Sequence, residues 1–282
     1  MDRNLLLLVD GSNLLFQMFY GMPARIINGQ GKAIQGTLGF VGALLKIIRM
    51  VAPTHVLVAF DGECDNGRTA LDENYKANRV DYSAMPEEDT PFSQLPDIYA
   101  ALDELGICHK ETENCEADDW IAGYAARYGK EMDVVIVSQD SDYFQLITER
   151  VSVLRYRGKQ TVICDPDYIR EKLGIEPCQY AAYKALTGDT ADNIRGVDKI
   201  GPKTAAQLMN AYGDLQTMLQ QAESISKPSI RQSVQTHTER IWKNYELIRL
   251  TGEAALPFGV DALCWEDPNL TTTQVLQRIG VK

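Results

Sequence analysis

NLLLLVD, residues 4–10, is a short apolar run that ends in an aspartate, and the same pattern returns twice along the chain. It recurs as HVLVAFD at 55–61 and as DVVIVSQD at 133–140. Short continuous runs of Val, Leu and Ile are typical of strands that are buried on both faces of a parallel sheet. VSVLRY at 151–156 and QTVIC at 160–164 predict two further strands.

The segments between these runs have helical spacing. One covers about 37–50, and another opens at EADDW, residues 116–120. Strands that alternate with helices predict an α/β fold with a mostly parallel central sheet flanked by helices. From about residue 165 the pattern predicts a helical C-terminal module, with strand-like character only near 254–260 and 262–266.

Composition narrows the class of protein. The 282-residue chain has a net charge of −11, which argues against a nucleic-acid partner only if its acids are spread over the surface. LLLLV at 5–9 is too short to span a membrane and follows no signal peptide, so we expect a cytoplasmic protein without a membrane partner. Six cysteines without C-x-x-C spacing and without paired histidines argue against a zinc site. Nothing in the sequence requires a dimer, so we expect a monomer.

Carboxylates gather where the predicted strands end. Asp10, Asp61 and Asp140 each end one, and open parallel sheets bind ligands beyond the carboxyl ends of their strands. The remaining candidates lie in EADD, SQDSD and GDTADN: Glu116, Asp118, Asp119, Asp142, Asp189 and Asp192.

Any one of these nine acids alone is most simply a helix cap or a turn residue. Together they would repel one another by several kcal/mol unless cations lay among them. Oxygen ligands without His or Cys suit Mg²⁺ or Mn²⁺, and nine acids are enough for two or more ions. Two such ions can activate a water and stabilise the leaving oxygen of a phosphodiester. The nine acids also account for most of the net charge, so the acidic balance does not exclude DNA.

Basic residues occur in the polar stretch 62–92. On a helix, Tyr75, Lys76 and Arg79 would fall on adjacent faces and, with Arg68, form a patch suited to phosphates and bases. The alternative is a solvated loop.

A second basic motif is GVDKIGPKTAAQL, residues 196–208. Its glycines lead into Pro202 at a helix start, with Lys203 beside it, and such a turn offers backbone N–H groups to a phosphate. A plain corner between two helices is the alternative reading.

The motifs LLVDGSN, FDG, YKANR, EADD, SQDSD, GDTADNIRGV and IGPKTA together resemble the 5′-nuclease family of 5′→3′ exonucleases and flap endonucleases. The chain is similar to the 5′-nuclease domain of bacterial DNA polymerase I and to stand-alone phage and bacterial relatives. The resemblance implies hydrolysis of DNA at 5′ flaps and branched 5′ ends, in replication and repair, with RNA–DNA hybrids as a further substrate.

The resemblance also implies a domain division. A nuclease core would cover 1–175 and include a helical arch at about 63–92. A DNA-binding module would cover 176–282, with a helix–three-turn–helix element at about 188–212.

The resemblance assigns roles to individual residues. It implies Lys76, Arg79 and Asp118 as catalytic residues. The nine acids would hold two or more Mg²⁺ ions, which Mn²⁺ can replace. The implied DNA-binding residues are Arg68, Tyr75, Lys76, Arg79, Gly196, Lys199, Gly201, Lys203 and Thr204. The backbone carbonyls of Val197 and Ile200 would hold K⁺.

The chain departs from the family pattern at three positions. Gly67 replaces an aromatic residue, Ser141 replaces the lysine between two acids, and Asn114 replaces a glycine. None of these removes an implied metal ligand. The alternative function is a flap-binding scaffold without catalysis, which the intact acid set disfavours. A metal-dependent RNase of similar fold would need neither the IGPK segment nor the basic stretch.

Overall fold

The computed structural model describes residues 4–62 and 67–281, and a six-stranded sheet lies at its centre. The strands are β1 (Leu5–Asp10), β2 (His55–Phe60), β3 (Cys108–Glu111), β4 (Asp133–Val137), β5 (Val151–Arg155) and β6 (Val162–Cys164). Their order is β3-β2-β1-β4-β5-β6, and every neighbouring pair is parallel except β5 and β6. The predicted mostly parallel sheet is confirmed. Strand β3 was missed because its sequence, CHKE, contains no apolar run.

Helices cover both faces of this sheet. They are α1 (Gly11–Gly21), α2 (Gln35–Val51), α3 (Gly67–Leu71), α4 (Leu95–Glu104), α5 (Ala117–Tyr128), α6 (Pro166–Leu173), α7 (Tyr180–Thr187), α8 (Pro202–Tyr212), α9 (Leu215–Gln220), α10 (Pro228–Thr236), α11 (Thr238–Ile248) and α12 (Thr272–Arg278). Along β1, Leu6 and Leu8 face the core that contains α5, whereas Leu7 and Val9 face the core that contains α1, α2 and α4. Successive strand residues point to opposite faces, so an all-apolar run buries both.

The C-terminal part is helical, as predicted, but it contains a short hairpin between α7 and α8. Strands β7 (Gly188–Asp189) and β8 (Ile194–Arg195) pair antiparallel there. No helix among the described residues has the length and apolar character that crossing a membrane requires.

The strand-like character expected at 254–260 and 262–266 is wrong. The structure has one turn of 3-10 helix at Val260–Leu263, and a single backbone bridge joins Cys264 to His55. The backbone there finds other partners, because the Tyr124 hydroxyl accepts from Phe258 N and donates to Phe258 O. The apolar residues therefore line a packed connection that touches β2 only at this bridge.

The predicted helical arch is only partly helical. Its first residues, 63–66, lie outside the described residues, and α3 is followed by turns and short 3-10 helices. Lys76 has a φ of +57°, which is left-handed backbone and interrupts a helix. The helical spacing expected for residues 75, 76 and 79 is therefore wrong.

Candidate active site

Asp10 lies at the carboxyl end of β1 and caps the helix that follows. Its side chain accepts from Asn13 N at 2.9 Å, and the hydroxyls of Ser138 and Tyr143 donate to Oδ2 at 3.0 and 3.2 Å. Burial, and after it the neighbouring charge of Asp61, raise the pKa of Asp10 to about 7. The carboxyl group is held in place by three donors in a setting that disfavours its charge.

The carboxyl end of β2 and the start of α5 meet beside Asp10. Asp61 Oδ1 accepts from Ala117 N at 2.8 Å. Glu116 is the N-cap of α5 and forms a capping box with Asp119, because each side chain accepts from the other's backbone N–H. Glu116 and Asp119 therefore cap the helix in addition to facing the site.

Basic side chains fill the space among these acids. Arg68, which is 9% exposed, donates to Glu116, to Asp118 at 3.1 Å and to Asp119 at 2.8 Å. Lys76 Nζ also pairs with Glu116. Burial favours the neutral form of Glu116, but Lys76 and Arg68 outweigh it and lower its pKa. Burial raises the pKa of Asp118 to about 8, since it outweighs the opposing effect of Arg68.

A second group of acids extends toward the helical module. Asp140 Oδ1 accepts from Asp142 N at 2.8 Å, and burial raises the pKa of both carboxyl groups. Asp142 Oδ1 is buried without a hydrogen-bond partner. The negative charges of Asp189 and Asp192 also raise the pKa of Asp142.

Asp189 and Asp192 are three residues apart, a spacing that would place them on one turn of a helix, but the structure forms a hairpin there. Asp189 ends β7 and Asp192 lies in the turn of the hairpin. Lys184 Nζ lies 2.5 Å from Asp189, and Arg79 Nη2 lies 2.9 Å from Asp192. The hairpin presents both carboxylates to the end of the sheet.

The nine acids therefore gather in one region. Fully buried Tyr143 is surrounded by the carboxyl groups of Asp10, Asp118, Asp140 and Asp61, all of which raise the pKa of its hydroxyl after burial itself. Within 4–62 and 67–281, no three His, Cys, Asp or Glu side chains form a ready-made metal cage. In this conformation several of the acid oxygens instead contact Arg68, Lys76, Arg79 and Lys184.

Sequence reasoning missed Lys184, Ser138 and Tyr143. The tyrosine directly follows the SQDSD motif, and its position beside Asp142 was an available signal. Lys184 lies on a helix whose pattern indicates only packing, so no local signal pointed to its pairing with Asp189.

Tyr75 is not placed for base stacking. Its ring is 6% exposed and packs with Ala181, Ile194, Leu247 and Ile248. The Tyr75 hydroxyl lies 3.3 Å from Glu116 Oε2. The prediction of an exposed stacking ring is therefore wrong for this conformation, in which Tyr75 anchors residues 67–79 (the basic segment) against the helical module.

The second basic motif forms the loop before α8. A Cβ on Gly196 would collide with the Thr187 carbonyl, so close packing already requires glycine at this position. Lys199, Gly201 and Lys203 are exposed, and Thr204 is half-buried. Gly201 is the N-cap of α8.

The two predicted potassium ligands lie in the same loop. Val197 and Ile200 are buried, and Ile200 N donates to the Val197 carbonyl at 3.1 Å.

Two family models match the chain over almost its whole length. The N-terminal resolvase-like domain of the 5′–3′ exonucleases matches residues 5–174, and their C-terminal SAM fold matches residues 175–271.

Among curated proteins, DNA polymerase I of Rhizobium leguminosarum is 38% identical over 273 residues, which cover 94% of this chain and 26% of the polymerase. The thermostable DNA polymerase I of Thermus thermophilus is 33% identical over 264 residues, 93% of this chain and 30% of that protein. The chain thus spans less than a third of the length of these relatives.

Among solved structures, the T5 5′-exonuclease with bound zinc ions has a TM-score of 0.72 at 23% identity, over 88% of this chain and 90% of that one. The bacteriophage T5 flap endonuclease, in a pseudo-enzyme–product complex with DNA and metal ions, has a TM-score of 0.73 at 22% identity, over 98% of this chain and 100% of that one. At these identities the likeness shows a shared fold. Through both of its matched domains, the chain belongs to the 5′–3′ exonuclease family.

Proposed function

We propose that this chain is a metal-dependent, structure-specific 5′ nuclease, which hydrolyses DNA phosphodiesters at 5′ flaps and branched 5′ ends as an exonuclease and a flap endonuclease. The observation that carries the proposal is the gathering of nine acids, beside basic side chains, at the carboxyl edge of the sheet. Two similar proteins support it, because one is an exonuclease with divalent ions bound and the other a flap endonuclease with DNA and metal ions. RNA–DNA hybrids are a further proposed substrate.

The acid cluster suits hard divalent cations. Its donors are carboxylate oxygens, which Mg²⁺ and Mn²⁺ prefer. Asp142 Oδ1 has no hydrogen-bond partner, and the pKa values of Asp10 and Asp118 are raised. The ionised carboxylates of this cluster therefore lack enough nearby positive charge to stabilise them. We propose Mg²⁺ as the ion and all nine acids as direct or water-mediated ligands. Bound ions would supply an activated water and stabilise the leaving oxygen.

The basic segment supplies the charge that faces the substrate. With ions on the acids, Arg68, Lys76 and Arg79 would exchange carboxylate partners for the scissile phosphate. An ammonium and two guanidinium groups there would offset the charge that develops during in-line attack. The expected products carry a 5′-phosphate and a 3′-hydroxyl.

The loop before α8 would hold duplex DNA. Lys199 and Lys203 lie exposed beside the helix N-terminus, where backbone N–H groups and the helix dipole favour a phosphate. Gly201 and Thr204 would contribute contacts to the same strand, and Gly196 would allow close approach. The carbonyls of Val197 and Ile200 are the proposed K⁺ ligands.

A labelled 5′-flap duplex tests the proposal. Mg²⁺ should release a short flap fragment, and EDTA should abolish release. Tight flap binding without cleavage in either Mg²⁺ or Mn²⁺ would instead favour the scaffold function. Faster cleavage of a single RNA strand than of the flap would favour the RNase alternative.

The acid cluster also predicts how stability depends on pH. Burial raises the pKa of Asp10 from 3.8 to about 7 and that of Asp118 to about 8, so the folded protein holds protons that the unfolded chain releases. Their stabilising contribution is present below pH 4 and is lost as the pH rises through both values. In EDTA, we expect the free energy of unfolding to fall by on the order of 6 kcal/mol between pH 5 and pH 8. Glu116 acts in the opposite direction, but only below its ordinary pKa of 4.5.

Thermal unfolding with and without Mg²⁺ measures this effect. Excess Mg²⁺ should restore the Tm at pH 8, since it favours the ionised carboxylates, while KCl of equal ionic strength should not. A Tm that rises from pH 5 to pH 8 in EDTA, or that does not change when Mg²⁺ is added at pH 8, contradicts the electrostatics described above.

A further inference from the structure

A cysteine and a histidine meet at the opposite edge of the sheet from the acid cluster. His55 is the first residue of β2, and its Nε2 lies 3.2 Å from Cys264 Sγ. Asp61 follows the other end of the same strand, so about 20 Å of extended chain separates the two sites. The proposed DNA chemistry makes no use of this pair.

Thr54 contacts the ring nitrogen of His55 that faces away from the thiol. Thr54 Oγ1 accepts from Leu5 N at 2.9 Å, and it lies 3.2 Å from Leu5 O and 2.8 Å from His55 Nδ1. When the hydroxyl donates its proton to Leu5 O, it accepts from Nδ1–H, and the lone pair of Nε2 then faces the thiol.

The surroundings favour a neutral imidazole that can take up a proton. His55 is buried, and burial lowers its pKa, whereas the nearby carboxylate of Asp261 opposes this effect and would stabilise an imidazolium. Cys264 itself is exposed. An exposed thiol, a base in hydrogen-bond contact and a third group that orients the base form the arrangement of an activated nucleophile.

We propose that Cys264 is a reactive thiol that undergoes exchange with small disulfides, with His55 as its base and Thr54 as a positioning residue. Sγ transfers its proton to His55 Nε2, and the thiolate attacks one sulfur of the disulfide. A bond forms between Sγ and that sulfur as the disulfide bond breaks, and the departing thiolate takes the proton from Nε2. One protein thiol and one disulfide become one mixed disulfide and one small thiol, so the exchange needs no other oxidant.

The test compares Cys264 with Cys178, the other exposed cysteine among the described residues. The folded protein is treated at pH 7 with limiting iodoacetamide, and separately with oxidised glutathione, and each cysteine-containing peptide is followed by mass spectrometry. An ordinary thiol is only a few per cent ionised at pH 7, so a neighbouring base that takes up its proton increases the supply of the reactive thiolate. Cys264 should therefore react about tenfold faster than Cys178, or more.

Two variants separate activation from exposure. His55→Gln should slow the reaction of Cys264 to the rate of Cys178, and Thr54→Val should slow it to a lesser degree, while Cys178 is unaffected in both. Equal rates for the two cysteines in the unmodified protein overturn the proposal whatever the variants do. A His55→Gln protein that keeps its circular dichroism spectrum and a fast Cys264 overturns it too.

Discussion

Asp118→Asn is expected to slow Mg²⁺-dependent flap cleavage by at least about 100-fold, because loss of even an outer-shell partner of a metal ligand costs 10–100-fold. Asp118 lies in the first turn of α5 beside Glu116 and Asp119, where burial raises its pKa to about 8. A divalent ion would hold this carboxyl group in its ionised form. Asparagine keeps the shape but carries no charge, so it cannot replace a carboxylate ligand.

Single-turnover cleavage of a 5′-flap duplex in saturating Mg²⁺ gives the rate, and binding of the same duplex in EDTA gives the affinity. The affinity should stay the same or increase, since a negative charge near the phosphates is removed. Glu113→Gln is the matched control. The Glu113 side chain is 71% exposed, and its only ion pair among the described residues is with Lys110. A cleavage rate within a few-fold of the parent would show that Asp118 does not hold a metal.

Lys76→Met should slow the same cleavage by about 100-fold, the usual loss when one group that stabilises transition-state charge is removed. Methionine keeps the apolar stem and removes only the ammonium group, which pairs with Glu116 when no ion is bound. The same substitution should tighten Mn²⁺ binding to the free protein, since an ion no longer competes with Nζ for that carboxylate. A purely structural role for Lys76 predicts the loss of rate without this gain in affinity.

Mn²⁺ titration followed by paramagnetic relaxation measures the second effect without any turnover. Lys172→Met is the control, because Lys172 is exposed on α6, away from the acid cluster. If Lys76→Met cleaves the flap at the parental rate, the proposed contact with the scissile phosphate is wrong. If it weakens Mn²⁺ binding, the competition between Nζ and the ion is wrong.

Local pattern predicted the sheet well. The runs at 4–10, 55–61 and 133–140 became β1, β2 and β4 within a few residues of the expected bounds. Such runs succeed because burial on both faces leaves a signal in every residue of the strand. The expectation that acids after these strands meet at one edge also held for Asp10, Asp61 and Asp140, since parallel strands end on the same side.

Local pattern failed where a partner distant in the chain decides the conformation. The apolar residues at 254–266 resemble a strand, but they join β2 only through the bridge between Cys264 and His55, and Tyr124 bonds the backbone of Phe258. Tyr75 sits among charged residues in sequence, yet its ring fills a gap against α7 and α11. Hydropathy within a short window contains no information about either contact.

The sequence by itself determined the fold class, the family motifs and the set of acids, because these depend on residue type and on spacing along the chain. Only the tertiary structure decided how these groups pair: Arg68 with three acids at the start of α5, Lys184 with Asp189, and His55 with a cysteine 209 positions away. Pairing depends on distances of about 3 Å between side chains, and those distances are set by packing across the sheet. Residue types therefore predicted a site for cations, and the packing showed which basic side chains of the protein lie among its acids.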